Sequence, residues 1–204
     1  DIAWHFNDIL PYFRRKLKIT GTTFGAESCG KTTTAEYVTN KYLDAYMLPE
    51  WARDYLENED DKTITSKHMR KIIDGQYALQ LQGKYNLNDR PYIIQDTDLL
   101  STLGYYRISG LSVPSDLYEK INSTKSDIYF VMASNIPFEE DILRYGGTVR
   151  ESNDQFWIDL LEEFNCNYIV VDQETLEERA LTIANKMKEI FENKHQKING
   201  FVRD

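Results

Sequence analysis

Eight residues near the start of the chain constrain it more than any other feature. Gly25-Ala26-Glu27-Ser28-Cys29-Gly30-Lys31-Thr32 fits G-x-x-x-x-G-K-[ST] and stands between a β-branched run, Leu17 to Phe24, and a helical stretch, Lys31 to Tyr42. A strand before and a helix after are the context a phosphate-binding loop requires. The glycines let the backbone curl so that successive N–H groups face phosphate oxygens. The helix N-terminus adds a dipole that favours anions. Lys31 then bridges the β- and γ-phosphates of ATP, and the Thr32 hydroxyl can ligate Mg²⁺. Gly25, Glu27, Ser28, Cys29, Gly30, Lys31, Thr32 and Thr33 are the expected nucleotide contacts. Cys29 reads as a small side chain that lets the loop close. A redox role for a thiol at a helix N-terminus is the alternative.

The rest of the chain repeats the strand-then-helix rhythm. Strands are expected at Ala45 to Pro49, Pro91 to Gln95, Asp127 to Met132 and Tyr168 to Val171. Helices are expected at Ser66 to Lys84, Thr97 to Arg107, Ser115 to Asn122, Pro137 to Arg144, Asn153 to Phe164 and Thr175 to Asn193. Short strands separated by helices predict a parallel sheet covered on both faces, an α/β fold. A length of 204 residues suits one such domain.

Composition narrows the partners. A net charge of −9 gives no broad positive field to draw in polyanions, so nucleic acid is disfavoured as a partner, although a local basic groove escapes such a count. Two cysteines exclude a disulfide framework and suit a reducing, cytoplasmic compartment. No apolar run is long enough to span a bilayer and no signal peptide is read at the start. The cluster from Glu57 to Lys62 reads as a solvated loop.

Ligands of a parallel sheet gather at the carboxyl ends of its strands. Acids follow three of them: Glu50, the Asp96-Thr97-Asp98 run, and Asp172. Asp96 is expected to hold Mg²⁺ opposite Thr32. Asp98 or Glu50 is expected to face an acceptor hydroxyl and take its proton. The alternatives are a helix cap for the Asp-Thr-Asp run and a surface salt bridge between Glu50 and Arg53. Trp51, Arg53 and Tyr55 stand beside Glu50 as expected substrate contacts, and one of the two aromatics could stack on a base or a cationic ring, or the two could form a core stripe. Gly75-Gln76 interrupts a helix pattern, which suggests a close approach there, with Gln76 as a ligand amide. Between the fourth and fifth strands, Arg144 and Arg150 flank Gly146-Gly147. That pattern suits a lid over about 135–152 that closes arginines on a transferring phosphoryl group.

Taken together, Phe24 to Thr33, Glu50-Trp51-Ala52-Arg53-Asp54-Tyr55, Gly75-Gln76, Asp96-Thr97-Asp98, and Asn135-Ile136-Pro137 with Asp141 and Arg144 resemble the ribosylnicotinamide kinase domain of NadR-type proteins. Residues 1–15 are similar to the connector that precedes this domain in longer members, which leaves 16–204 as the kinase domain. The family loop commonly has a serine where this chain has Cys29. The paired-histidine motif of the adenylyltransferase domain is missing, since His5, His68 and His195 are isolated. The resemblance implies a P-loop kinase fold with strand order 2-3-1-4-5. It implies transfer of phosphate from ATP to the 5′-hydroxyl of nicotinamide riboside, and an aromatic residue stacked on the pyridinium ring. Kinases of this broad type also act on other nucleosides, and in phages on hydroxymethylated bases in DNA. A regulatory nucleotide switch is the remaining alternative.

Overall fold

The computed structural model describes residues 11–58, 65–85, 90–135 and 154–200. The chain runs α1 (Pro11–Leu17), β1 (Ile19–Phe24), α2 (Lys31–Lys41), β2 (Ala45–Leu48), α3 (Trp51–Glu57), α4 (Ser66–Tyr85), β3 (Tyr92–Asp96), α5 (Leu99–Ile108), α6 (Asp116–Thr124), β4 (Ile128–Met132), α7 (Asp154–Glu163), β5 (Tyr168–Val171) and α8 (Leu176–Gly200). The five strands form one sheet in the order β2-β3-β1-β4-β5, and every pairing is parallel. The fold is α/β with the expected strand order.

Side chains alternate across a strand, so each central strand feeds two cores. In β4, Ile128, Phe130 and Met132 enter the core under α2 and α8, with Val38, Ile183 and Met187. Tyr129 and Val131 enter the opposite core under α4 to α7, with Ile73, Leu103 and Trp157. Burial on both faces explains why these strands are almost continuously apolar. Trp157 is fully buried and meets Phe24, Tyr105 and Phe156 edge-on at 5.2–5.4 Å between ring centroids.

Local differences from the sequence expectations have physical causes. The first strand starts at Ile19 rather than Leu17 because α1 ends there, opened by a proline at its first position. This helix crosses the expected boundary at residue 15. The helix expected from Thr97 begins at Leu99, because Asp98 caps it. The segment after Glu50 is a helix of its own, α3. The helix expected at 137–144, and the lid with Arg144 and Arg150, lie outside the described residues. Among the described residues no helix is long and apolar enough to cross a membrane.

Candidate active site

The phosphate loop joins β1 to α2 and has the backbone its sequence demands. Gly25, Ser28 and Gly30 take positive φ values of 128°, 58° and 82°. Gly30 is the N-cap of α2 and offers no side-chain acceptor to the helix's first N–H groups. Without a side-chain cap, the start of α2 keeps the N-terminal donors and dipole that anion binding uses. Lys31 Nζ donates back to the carbonyls of Gly25 and Ala26. Burial works to lower its pKa, but Cys29, Tyr105, Glu50 and Asp96 outweigh burial and raise it, so the ammonium is kept. The Cys29 thiol is buried, donates to the Ala26 carbonyl at 3.0 Å and is pushed up by burial. That is the space-filling reading of Cys29, and a raised pKa is the reverse of what a reactive thiol needs. Glu27 and Ser28 are half-buried on the loop and Thr33 is exposed on α2.

Register places the acid opposite the loop. Thr23 pairs with Asp96 across β1 and β3, so Asp96 emerges beside the start of α2. Its Oδ2 accepts from Thr32 Oγ1 at 2.6 Å, while its Oδ1 is buried with no hydrogen-bond partner. Burial raises the Asp96 pKa, and Thr32 and Lys31 pull it down. A buried carboxylate oxygen without a donor, beside a threonine hydroxyl, fits Mg²⁺, which takes one or two protein oxygens and fills the rest with water and phosphate. Among the described residues no cluster of three His, Cys, Asp or Glu could hold a metal by itself.

The Asp-Thr-Asp run divides its labour, and this corrects one expectation. Thr97 sits at φ 62°, a costly conformation for a β-branched residue, with its N–H on the Thr23 carbonyl at 3.2 Å. This kink turns Asp98 away from Asp96. Asp98 Oδ1 caps α5 by accepting from Leu100 N at 3.0 Å and Ser101 N at 3.1 Å. Its Oδ2 accepts from the Tyr129 hydroxyl at 2.7 Å. Burial lifts its pKa to about 6 against the pull of these bonds. With both oxygens taken and 2 % of its surface exposed, Asp98 is a buried cap and does not face an acceptor.

Glu50 is the acid that remains. It ends the β2 strand connection and is the N-cap residue of α3, yet its side chain makes no capping bond. Burial and the Asp96 charge raise its pKa, while Lys31 and Arg53 lower it. Arg53 Nε stands 3.9 Å from Glu50 Oε2, a loose pair on an exposed arginine. Gln76 is buried on α4 and its Oε1 accepts from Trp51 N at 3.0 Å, while its Nε2 is buried without a partner. The close approach expected at Gly75 is the Trp51 indole: a Cβ there would meet Trp51 Nε1 at 1.9 Å. Trp51 is still 37 % exposed. Tyr55 packs beside the His68 ring at 6.3 Å and carries Lys71 Nζ at 5.1 Å from its ring centroid. Of the two aromatics, Trp51 is the one with surface to offer a ligand. Asp172 is exposed at the end of β5, its carbonyl accepting from Asn135 Nδ2, and takes no part in this cluster.

Two residues of the site escaped sequence reasoning. Arg179 on α8 is buried and donates Nε to Gln173 O at 2.6 Å, Nη1 to Cys29 O at 3.0 Å, and Nη2 to Ala133 O and Asn135 Oδ1. It ties the phosphate loop to the ends of β4 and β5. A lone arginine in an amphipathic helix carries no local signal of such a role. Tyr105 on α5, its ring edge-on to Trp157, is raised in pKa by burial, with Lys31 opposing and Glu27 and Glu50 reinforcing, so its hydroxyl is coupled to the charges of the site.

The comparisons with known proteins agree with this geometry. A family model described as an AAA domain matches residues 22–179, well over half of the chain. The trifunctional NAD biosynthesis/regulator protein NadR of Escherichia coli (strain K12) is 26% identical over 197 residues, which are 92% of this chain and 46% of that protein. A solved structure of NadR in complex with NR superposes with a TM-score of 0.74 at 22% identity, over 93% of this chain and 55% of that one. A thymidylate kinase from Ehrlichia chaffeensis superposes with a TM-score of 0.57 at 17% identity, over 83% of this chain and 98% of that one. The chain thus spans about half the length of the NadR proteins it matches. Its loop, its sheet order and the extent of the family match make this chain a P-loop protein of the AAA-domain family, similar over most of its length to part of NadR.

Proposed function

We propose that the chain is an ATP-dependent kinase that phosphorylates the 5′-hydroxyl of nicotinamide riboside. The observation that carries the reading is one juxtaposition. A phosphate loop with Lys31, a Thr32–Asp96 pair with an unpartnered carboxylate oxygen, and the uncapped acid Glu50 meet at one end of the sheet, with a half-open tryptophan next in sequence. A nucleotide switch needs the first two parts and has no use for the others. NadR, whose solved complex holds NR, supports the choice of acceptor.

In this reading the loop N–H groups and Lys31 hold the β- and γ-phosphates. Thr32 and Asp96 would hold Mg²⁺, which neutralises charge on the phosphates when bound. Glu50 accepts the proton of the acceptor hydroxyl as its oxygen bonds to the γ-phosphorus. The bond from that phosphorus to the β–γ bridging oxygen breaks, and ADP leaves with the electron pair. Burial and the Asp96 charge raise the Glu50 pKa, which makes it a better proton acceptor than an ordinary carboxylate. Trp51 and the Gln76 amide would receive the nicotinamide ring. Arg144 and Arg150 are assigned to the transferred phosphoryl group on sequence grounds. Most of the rate gain is positioning and electrostatics.

The test is transfer from labelled ATP to a panel of nicotinamide riboside, uridine, thymidine and hydroxymethylated DNA. Phosphorylation of nicotinamide riboside above the others supports the proposal. Transfer only to a neutral nucleoside or to DNA overturns the acceptor, and no transfer to any overturns the kinase reading.

A further inference from the structure

A second concave feature lies away from the phosphate loop. It is a cavity of about 430 Å³ on the α4–α6 face of the sheet, floored by Thr20 of β1 and Ile93 of β3. Its volume falls in the range of small-molecule sites. Its charge is the reverse of the chain's. Among the described residues Lys16, Lys18, Lys84, Lys125 and Lys194 line it, with Asp127 as the one acid, whereas the whole chain carries −9.

These lysines come from four parts of the fold: the α1–β1 junction, the C-terminal turn of α4, the α6–β4 loop and α8. Several ammonium groups are oriented by bonds to carbonyls. Lys84 donates to Ser123 O at 2.7 Å, Lys125 to Phe164 O at 2.9 Å and Lys194 to Lys18 O at 3.1 Å. An ammonium has three donors, so each retains capacity for a ligand. Lys18 is 4 % exposed, and burial with the neighbouring Arg14 lowers its pKa to about 8. Lys194 stands 3.5 Å from Asp127 Oδ1, a contact that offsets one charge of the cluster. A second observation points the same way. Gln95 lines the cavity, is 2 % exposed, and donates Nε2 to Thr22 and Ser126, yet its Oε1 is buried with no hydrogen-bond partner. An oxygen in that position suits a ligand hydroxyl. Leu48 and the exposed ring of Tyr85 add apolar surface at the wall.

We propose that this cavity is a second ligand site, built for a small phosphorylated molecule whose phosphate sits among the lysines and whose hydroxyl reaches Gln95. Gln95 immediately precedes Asp96, so an occupant would contact the strand that carries the acid beside the phosphate loop. The site is independent of the acceptor proposed above.

The experiment uses the whole chain with its phosphate loop saturated by Mg²⁺ and AMP-PNP, and titrates inorganic pyrophosphate by calorimetry. A parallel titration with ribose 5-phosphate asks whether a hydroxyl-bearing phosphate gains over charge alone. One equivalent should bind, several-fold more weakly at high than at low salt, because the attraction is screened. The Lys18→Met/Lys125→Met variant should bind pyrophosphate at least about tenfold more weakly, with AMP-PNP affinity unchanged. Should that variant fail to fold, the rim variant Lys16→Gln/Lys194→Gln should still weaken binding by about threefold. No binding to the wild type up to about 5 mM, or equal binding by wild type and folded variant, overturns the site. Retained AMP-PNP binding separates that failure from a failure of the kinase reading.

Discussion

The two sides of the candidate site are built to different standards. The phosphate side rests on buried strands: Asp96 is 1 % exposed, Cys29 is 1 % exposed, and the buried Arg179 guanidinium clasps the loop from behind. The acceptor side rests on α3, seven residues with none fully buried. It meets α4 through the bond from Trp51 N–H to Gln76, an indole laid on Gly75, and the Tyr55 ring beside His68 and Lys71. Triphosphate chemistry is the same for every P-loop kinase and rewards a rigid frame. The acceptor differs between kinases, and a lightly held helix can change its side chains at small cost to the fold. In the proposed kinase, catalysis and specificity are therefore separable, and the substitutions below probe the junction of the two sides, the phosphate side, the Asp98 cap and the acceptor side.

The largest effect is expected at the junction of the two sides. Glu50→Gln should lower kcat by about 10²–10⁴-fold with ATP affinity retained, the range for loss of a general base. The base must be ionised to work, so wild-type kcat should fall as pH drops through the raised Glu50 pKa, and the acid limb should vanish in the variant. A pH–rate profile of both proteins checks this. Lys31→Ala should cost about 10²–10³-fold in kcat/KM, comparable to removing one preorganised donor to developing charge. Circular dichroism should show the fold intact.

Arg179→Gln should raise KM for ATP by about 10- to 100-fold, since bonds from a charged donor are worth about 1.5–3 kcal/mol, while KM for the acceptor stays near wild type. Equal loss on both sides would mean the clasp supports the whole fold rather than the loop. The smallest catalytic effect is expected from Asp98→Asn, with kcat unchanged within experimental error. Its signature is in stability. The folded pKa of about 6 lies above the ordinary carboxylate value. Between those two values the folded state binds more protons than the unfolded one, so this group makes the wild type lose stability as pH rises from about 4 to 6. Denaturant midpoints across that range should flatten in the variant.

How much of this the sequence disclosed follows from how local each signal is. The phosphate loop and the five strands are written in contiguous residues, and the strand order came out as expected. Asp96 was legible beside Thr32, but that Asp98 serves as the cap and not the acceptor side was not, because the φ of Thr97 turns it away and no sequence pattern encodes that angle. The gap at Gly75 was legible as a close approach, but its occupant, 24 positions away, was not. Arg179 depends on carbonyls at Cys29, Ala133 and Gln173, which meet only once the sheet has formed.

An acceptor side that receives a cationic ring, as proposed, is read out by kcat/KM for nicotinamide riboside and for uridine in wild type and in Trp51→Leu. Cation–π stacking contributes about 0.5–2 kcal/mol. Wild type should prefer nicotinamide riboside, and the substitution should cost that substrate about 3- to 30-fold while changing uridine less. Equal losses for both substrates, or a wild-type enzyme that ignores nicotinamide riboside and phosphorylates uridine, would contradict it.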